Sequence, residues 1–138
     1  MADGRALIQQ AYLRSNRAMA LKFVDGVFSV YSPNYRCIDP DGARLDLNVQ
    51  RNRLEQLLGN ALRVEEESKI LTFRELGKQA HCQVRYRTKF HRFDPTTQEP
   101  IILQIDTVCE DDWVKIGQEW LLDTTKVGLQ ESRRLPQP

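Results

Sequence analysis

The stretch IILQIDTVCEDDWVKIGQEWLLDTTKV, residues 101–127, decides the fold. It holds two long strand-like runs that fold back around Lys115, Ile116, Gly117 and Gln118. A turn centred on Ile116 and Gly117 sets Trp113 directly opposite Trp120, and aromatic cross-strand pairs of that kind hold register. The rest of the chain is read as packed on this hairpin or paired with it.

Working upstream, period-two alternation predicts a strand over residues 69–75, a turn over 76–79 and a long strand over 80–93. Residues 94–100, DPTTQEP, link that strand to the hairpin. Before residue 69 the period is helical. Asp3 caps a helix carrying Leu7, Ile8, Ala11, Tyr12, Ser15, Ala18 and Met19 at three- and four-residue spacing. A break is expected near Lys22 and Phe23. A short second helix then buries Val24, Val27, Phe28 and Tyr31, until Ser32, Pro33 and Asn34 stop it. YRCIDPDG, residues 35–42, reads as a short strand running into a turn, with Tyr35, Cys37 and Asp39 on one face. Asn48 caps a third helix whose stripe is Val49, Leu54, Leu57, Leu58, Ala61 and Leu62. Glu65, Glu66 and Glu67 then read as a solvated connection. Helices first and antiparallel strands after them predict an α+β fold, with three helices on one face of a curved sheet.

The 138 residues fit a single domain, with a core over about residues 5–130 and a flexible tail over 131–138. Twenty Lys and Arg against 19 Asp and Glu supply no net pull toward nucleic acid or anionic lipid. No apolar run approaches the roughly 20 residues of a membrane helix. The start, MADGRALIQQ, lacks the apolar core of a signal peptide. Cys37, Cys82 and Cys109 are odd in number and widely spaced, which points to reduced thiols and a cytoplasmic location. They form no metal-ligand spacing with His81 or His91, and the seven glycines form no phosphate loop, so no metal or cofactor is expected.

Along 80–93, Cys82, Val84, Tyr86, Thr88 and Phe90 alternate with Gln83, Arg85, Arg87, Lys89 and His91. The first set faces the helices, and the second is a basic stripe on the outer face. In the following strand Ile105, Thr107, Cys109, Asp111 and Trp113 share the inner face. If Phe90 meets Ile105, then Lys89 meets Asp106 and Arg85 meets Glu110, which neutralises the stripe. That face has no interleaved aromatic residues to stack bases, so it reads as solvated or dimer-forming rather than as a nucleic-acid surface.

Three stretches resemble the nuclear transport factor 2-like superfamily, the cystatin-like α+β cone shared with ketosteroid isomerases and polyketide cyclases. They are VDGVFSVY at 24–31, YRCIDPDG at 35–42 and DDWVKIGQEW at 111–120. The resemblance implies a cone-shaped pocket lined by Tyr12, Tyr35, Cys37, Asp39, Tyr86, Thr88, Phe90, Thr107, Cys109, Asp111 and Trp113. It places Asp39, within the shared Asp-Pro-x-Gly pattern, at the general-base aspartate of the isomerases; the turn's own backbone is the alternative partner for that carboxylate. The oxyanion tyrosine's place falls on Ser15, with Tyr12 one helical turn earlier, and the protonated acid's place falls on Cys109, with Asp111 two residues on. Both are departures from the steroid-isomerase pattern. Three functions follow as expectations: binding of a small, mostly apolar organic ligand; a cofactor-independent isomerase or cyclase using Asp39 with Tyr12 or Asp111; or a homodimeric association module with a filled cone.

Overall fold

The structure, a computed structural model, describes residues 3–136. Its elements are α1 (Gly4–Ala20), α2 (Val24–Phe28), β1 (Tyr31–Ile38), β2 (Arg44–Asp46), α3 (Leu47–Gly59), β3 (Arg63–Leu76), β4 (Gln79–Phe93), β5 (Pro100–Ile116) and β6 (Glu119–Pro136). One six-stranded sheet runs in the order β2-β1-β6-β5-β4-β3. Every neighbouring pair is antiparallel except β1 with β6. The helices pack on one face, and the fold is the expected α+β, cystatin-like roll.

The helices form where the sequence supplies caps and a buried stripe. Asp3 accepts from the Ala6 N–H at 2.7 Å, and Ile8, Ala11, Tyr12, Ser15, Ala18 and Met19 are buried beneath α1. Lys22 breaks the helix with φ +58°, and its Nζ donates to the Ala61 carbonyl at 2.7 Å. At α3 the cap is Asp46, not Asn48; its carboxylate accepts from the Val49 N–H at 3.0 Å. Of the predicted α3 stripe, Leu58 and Ala61 are buried, while Val49, Leu57 and Leu62 stay exposed.

Several boundaries differ from the sequence reading for one reason: long strands need partners for every backbone N–H and C=O. Glu65, Glu66 and Glu67, read as a solvated connection, belong to β3 because residues 86–91 of β4 pair with residues 63–68. Residues 131–136, read as a flexible tail, continue β6 and pair with 101–106 of β5; residues 137–138 of that tail lie outside the described residues. Tyr31 opens β1 instead of closing α2, bridging to Leu122. Pro33 sits within β1, where β2 covers only residues 36–38 and the β6 ladder is interrupted, so no bond needs its missing N–H.

Registers also moved. The two-residue turn at Gly117 and Gln118 sets Trp113 opposite Leu122, and Trp120 opposite Lys115, so the two tryptophans are not a direct pair. Between β4 and β5, Phe90 meets Leu103 and Thr88 meets Ile105, a two-residue shift from the expected pairing. Asp94 organises the intervening loop by accepting from the N–H groups of Thr96 (2.7 Å) and Thr97 (3.0 Å). An even shift preserves which face each side chain takes. The charge pair it creates is Arg87 with Asp106, at 2.8 Å, rather than Lys89 with Asp106.

The buried side chains fall into two clusters. Ile8, Tyr12, Val84, Trp113 and Trp120 anchor one, at the β5–β6 turn end. Met19, Val27, Leu58, Val64 and Phe90 form the other, under α2 and α3. Members of both clusters line an open cavity between helices and sheet.

Candidate functional site

The cavity holds about 340 Å³. Strand alternation builds its sheet wall: Tyr86, Thr88 and Phe90 come from β4, and Thr107, Cys109 and Trp113 from β5. Tyr35 and Cys37 of β1, Asp39 just beyond it and Tyr12 of α1 complete the set expected from sequence, apart from Asp111. Asn16, Tyr31, Gln50, Arg53, Glu66, Thr125 and Gln130 also line it and were not anticipated.

Asp111 lies behind the wall. It is 0% exposed, and the Tyr12 hydroxyl donates to its Oδ2 at 2.6 Å. Tyr86 donates to the same oxygen. Trp113 Nε1 in turn donates to the Tyr12 hydroxyl at 3.0 Å, and the Tyr12 and Trp113 rings meet edge to face with centroids 5.0 Å apart. Burial raises the Asp111 carboxyl above the usual carboxylate range, while the hydroxyls of Tyr12, Tyr86 and Thr125 pull the other way. Oδ1 of Asp111 has no hydrogen-bond partner among the described residues. Burial, then the Asp111 charge, drives both phenols far above their normal range. The hydroxyl protons of Tyr12 and Tyr86 are thus committed to Asp111. Asp111, expected among the residues lining the pocket, is instead wholly buried behind them.

Asp39 lines the cavity with its carboxylate 3.3 Å from Arg53 Nη1 of α3. The turn does not consume that carboxylate. The Asp39 backbone carbonyl accepts from Gly42, and it is the Asp41 side chain that accepts from the Ala43 N–H, at 2.9 Å. Ser15 also borders the cavity, but its hydroxyl donates to the Val27 carbonyl at 3.1 Å, joining α1 to α2. Gln50 Nε2 is buried and has no hydrogen-bond partner among the described residues.

Glu66 is the acid that sequence reasoning missed. It sits on β3 opposite Thr88, whose hydroxyl donates to its Oε1 at 3.0 Å. Burial pushes its carboxyl up to about 7, against the opposing pull of that hydroxyl. The signal was present: Val64, Glu66, Ser68 and Ile70 keep a two-residue spacing through the acidic triplet. All three cysteines are free and buried. Burial raises the Cys37 and Cys109 thiols at the wall and takes Cys82, in the core beneath, up to about 12. None is poised as a thiolate nucleophile.

The outer face carries paired charges. His91 Nε2 lies 2.7 Å from Glu65, and His81 Nδ1 lies 2.7 Å from Asp112.

No protein-family model and no curated protein matches the chain. Solved structures do. A conserved protein from Planctomyces limnophilus DSM 3776 superposes with a TM-score of 0.78 at 12% identity, over 94% of this chain and 97% of that one. A Nostoc punctiforme protein of unknown function with a cystatin-like fold gives 0.68 at 12% identity, over 92% and 91%. A hexachlorocyclohexane dehydrochlorinase, LinA-type3, from Novosphingobium barchaimii LL02 gives 0.71 at 8% identity, over 95% and 89%. At such identities the likeness is one of fold, and it is the nuclear transport factor 2-like, cystatin-like fold that the sequence resembles.

Proposed function

We propose that this protein binds a small, mostly apolar organic molecule in the cavity between its helices and sheet. One observation carries the reading: the inward face encloses about 340 Å³ of open space instead of a packed core. Protein interiors otherwise close to crystal-like density, so an open apolar volume with a few convergent polar groups is the default ligand site. An association module with a filled cone lacks that feature.

A second reading, a cofactor-independent acid–base enzyme such as an isomerase or cyclase, is favoured by Glu66 and Asp39. Two carboxyls face one cavity, and Glu66 titrates near neutrality, where a group can both give and take a proton. The Asp39 carboxylate, free of its own turn, is the other acid–base candidate.

A thermal-shift screen against flat carbonyl, steroidal and aromatic compounds tests binding. A ligand at 100 times its dissociation constant adds about 2.7 kcal/mol, or roughly 9 °C in a domain of this size. A hit with measurable turnover that Asp39→Asn or Glu66→Gln abolishes selects the enzyme. A hit without turnover selects the binding protein. Silence across a broad panel sinks both.

A further inference from the structure

Glu66 and Asp39 are the carboxyl groups on the cavity wall, and Arg53 is the cationic side chain there. Arg53 is engaged with Asp39 at 3.3 Å. Among the described residues Glu66 has no ion pair, and its hydrogen-bond partner is the uncharged Thr88 hydroxyl. Its surroundings are aromatic. Its partner Thr88 stands between Tyr86 and Phe90 on the inner face of β4, and the same cavity is lined by Tyr31, which packs on Tyr35 and Phe28 with ring centroids 4.5 and 4.9 Å away.

We infer that the cavity selects a ligand bearing a basic amine, with its ammonium held by Glu66 among these aromatic rings. The inference rests on the reading of the cavity as a ligand site and names the chemistry of that ligand. Three physical terms favour it. An ammonium on a buried carboxylate makes a charge-assisted hydrogen bond. Aromatic faces attract cations, more so when water is excluded. An anionic ligand would meet like charge on Glu66 and Asp39 with no unengaged cation to offset it. A neutral alcohol or ketone gains only an ordinary hydrogen bond. The volume suits an amine carried on one or two rings.

The other titratable groups lining the cavity with Glu66 are Tyr12 of α1, Tyr31, Tyr35 and Cys37 of β1, Tyr86 of β4, Cys109 of β5 and, at the α3 side, Asp39 paired with Arg53. Burial raises all four phenols and both thiols, so they remain protonated between pH 6 and 8. Glu66 is therefore the group whose proton leaves when an ammonium docks. The free carboxyl loses its proton to solvent as the ion pair forms.

Calorimetric titration of the purified protein with 2-phenylethylamine, 2-phenylethanol and 3-phenylpropionate tests this. The amine is expected to bind at least tenfold more tightly than the alcohol, with the carboxylate weakest. Between pH 6 and 8 amine affinity should rise about tenfold, as a group near 7 ionises. Titrations in two buffers of different ionisation enthalpy should show proton release at pH 6.5. In Glu66→Gln the amine should fall to the level of the alcohol, and proton release should vanish. If that variant fails to fold, the wild-type pH dependence and proton release decide. An alcohol or carboxylate that binds as well as the amine overturns the inference while leaving a ligand site standing. So does silence from all three probes in a protein that the thermal-shift panel shows to take other molecules. Silence from the panel as well overturns both.

Discussion

The Tyr12 hydroxyl donates to Asp111 Oδ2 at 2.6 Å, joining α1 to β5 across 99 residues of chain. Asp111 is wholly buried, and Tyr86 shares the same oxygen. Asp111→Ala would leave two donors without their acceptor and a void beneath Trp113, at a cost of about 2–5 kcal/mol. Tyr12→Phe removes one donor and strands the Trp113 N–H, at about 1–3 kcal/mol. Urea denaturation measures both, and an Asp111→Ala midpoint equal to wild type would show that the network contributes nothing.

Glu66 sets a second, pH-dependent expectation. Its carboxyl titrates near 7 in the folded protein, against about 4.3 unfolded. Because the folded value is raised, the folded state holds the extra proton between those limits, and stability falls as pH rises through that window. Glu66→Gln removes the term while keeping an acceptor for Thr88. The variant should match wild type at pH 4 and exceed it at pH 8 by about 1–3 kcal/mol, the range reflecting partial access from the cavity. Urea midpoints at the two pH values check it. A gain that is equal at both pH values would remove titration as the cause.

The cavity wall offers a third test. Thr107 borders the open volume from β5. A phenylalanine there would grow into space rather than into packed neighbours, so Thr107→Phe should keep stability within about 1 kcal/mol of wild type. Binding of any thermal-shift hit should weaken more than tenfold. Unchanged affinity would place the ligand elsewhere.

A fourth concerns Gly128. It lies in β6 at a bulge opposite Val108, and a Cβ at that position would stand 2.9 Å from the Val108 carbonyl oxygen. That oxygen belongs to the central strand and cannot retreat without shifting β5. Gly128→Ala should therefore cost about 1–3 kcal/mol. A thermal melt unmoved by the substitution would mean that the bulge has slack.

Much of the site was legible because strand alternation is local. The spacing of Tyr86, Thr88 and Phe90, and of Thr107, Cys109 and Trp113, placed all six on the inner face, and all six line the cavity. Asp39 was legible as a candidate from its turn pattern, but its pairing with Arg53 was not, since 14 residues and a helix separate them. Glu66 was lost because three consecutive glutamates look solvated. Only the demand of β4 for a partner draws them into a strand and turns the middle one inward. The missed length of β6 has the same origin: residues 131–134 are polar and exposed, yet the backbone of β5 needs a partner there.

The sequence by itself determined the order of the helices and long strands and the facing of the side chains along β4 and β5, because helical and strand periods belong to the backbone whatever it packs against. Tertiary structure alone decided that the inward face encloses open volume, that Asp111 retreats behind two phenols and that Glu66 stands at the wall. Those outcomes depend on strand register, bulges and the distance between helices and sheet. They arise where hydrogen-bond demands and packing from remote segments meet, and no local pattern in the chain encodes that meeting.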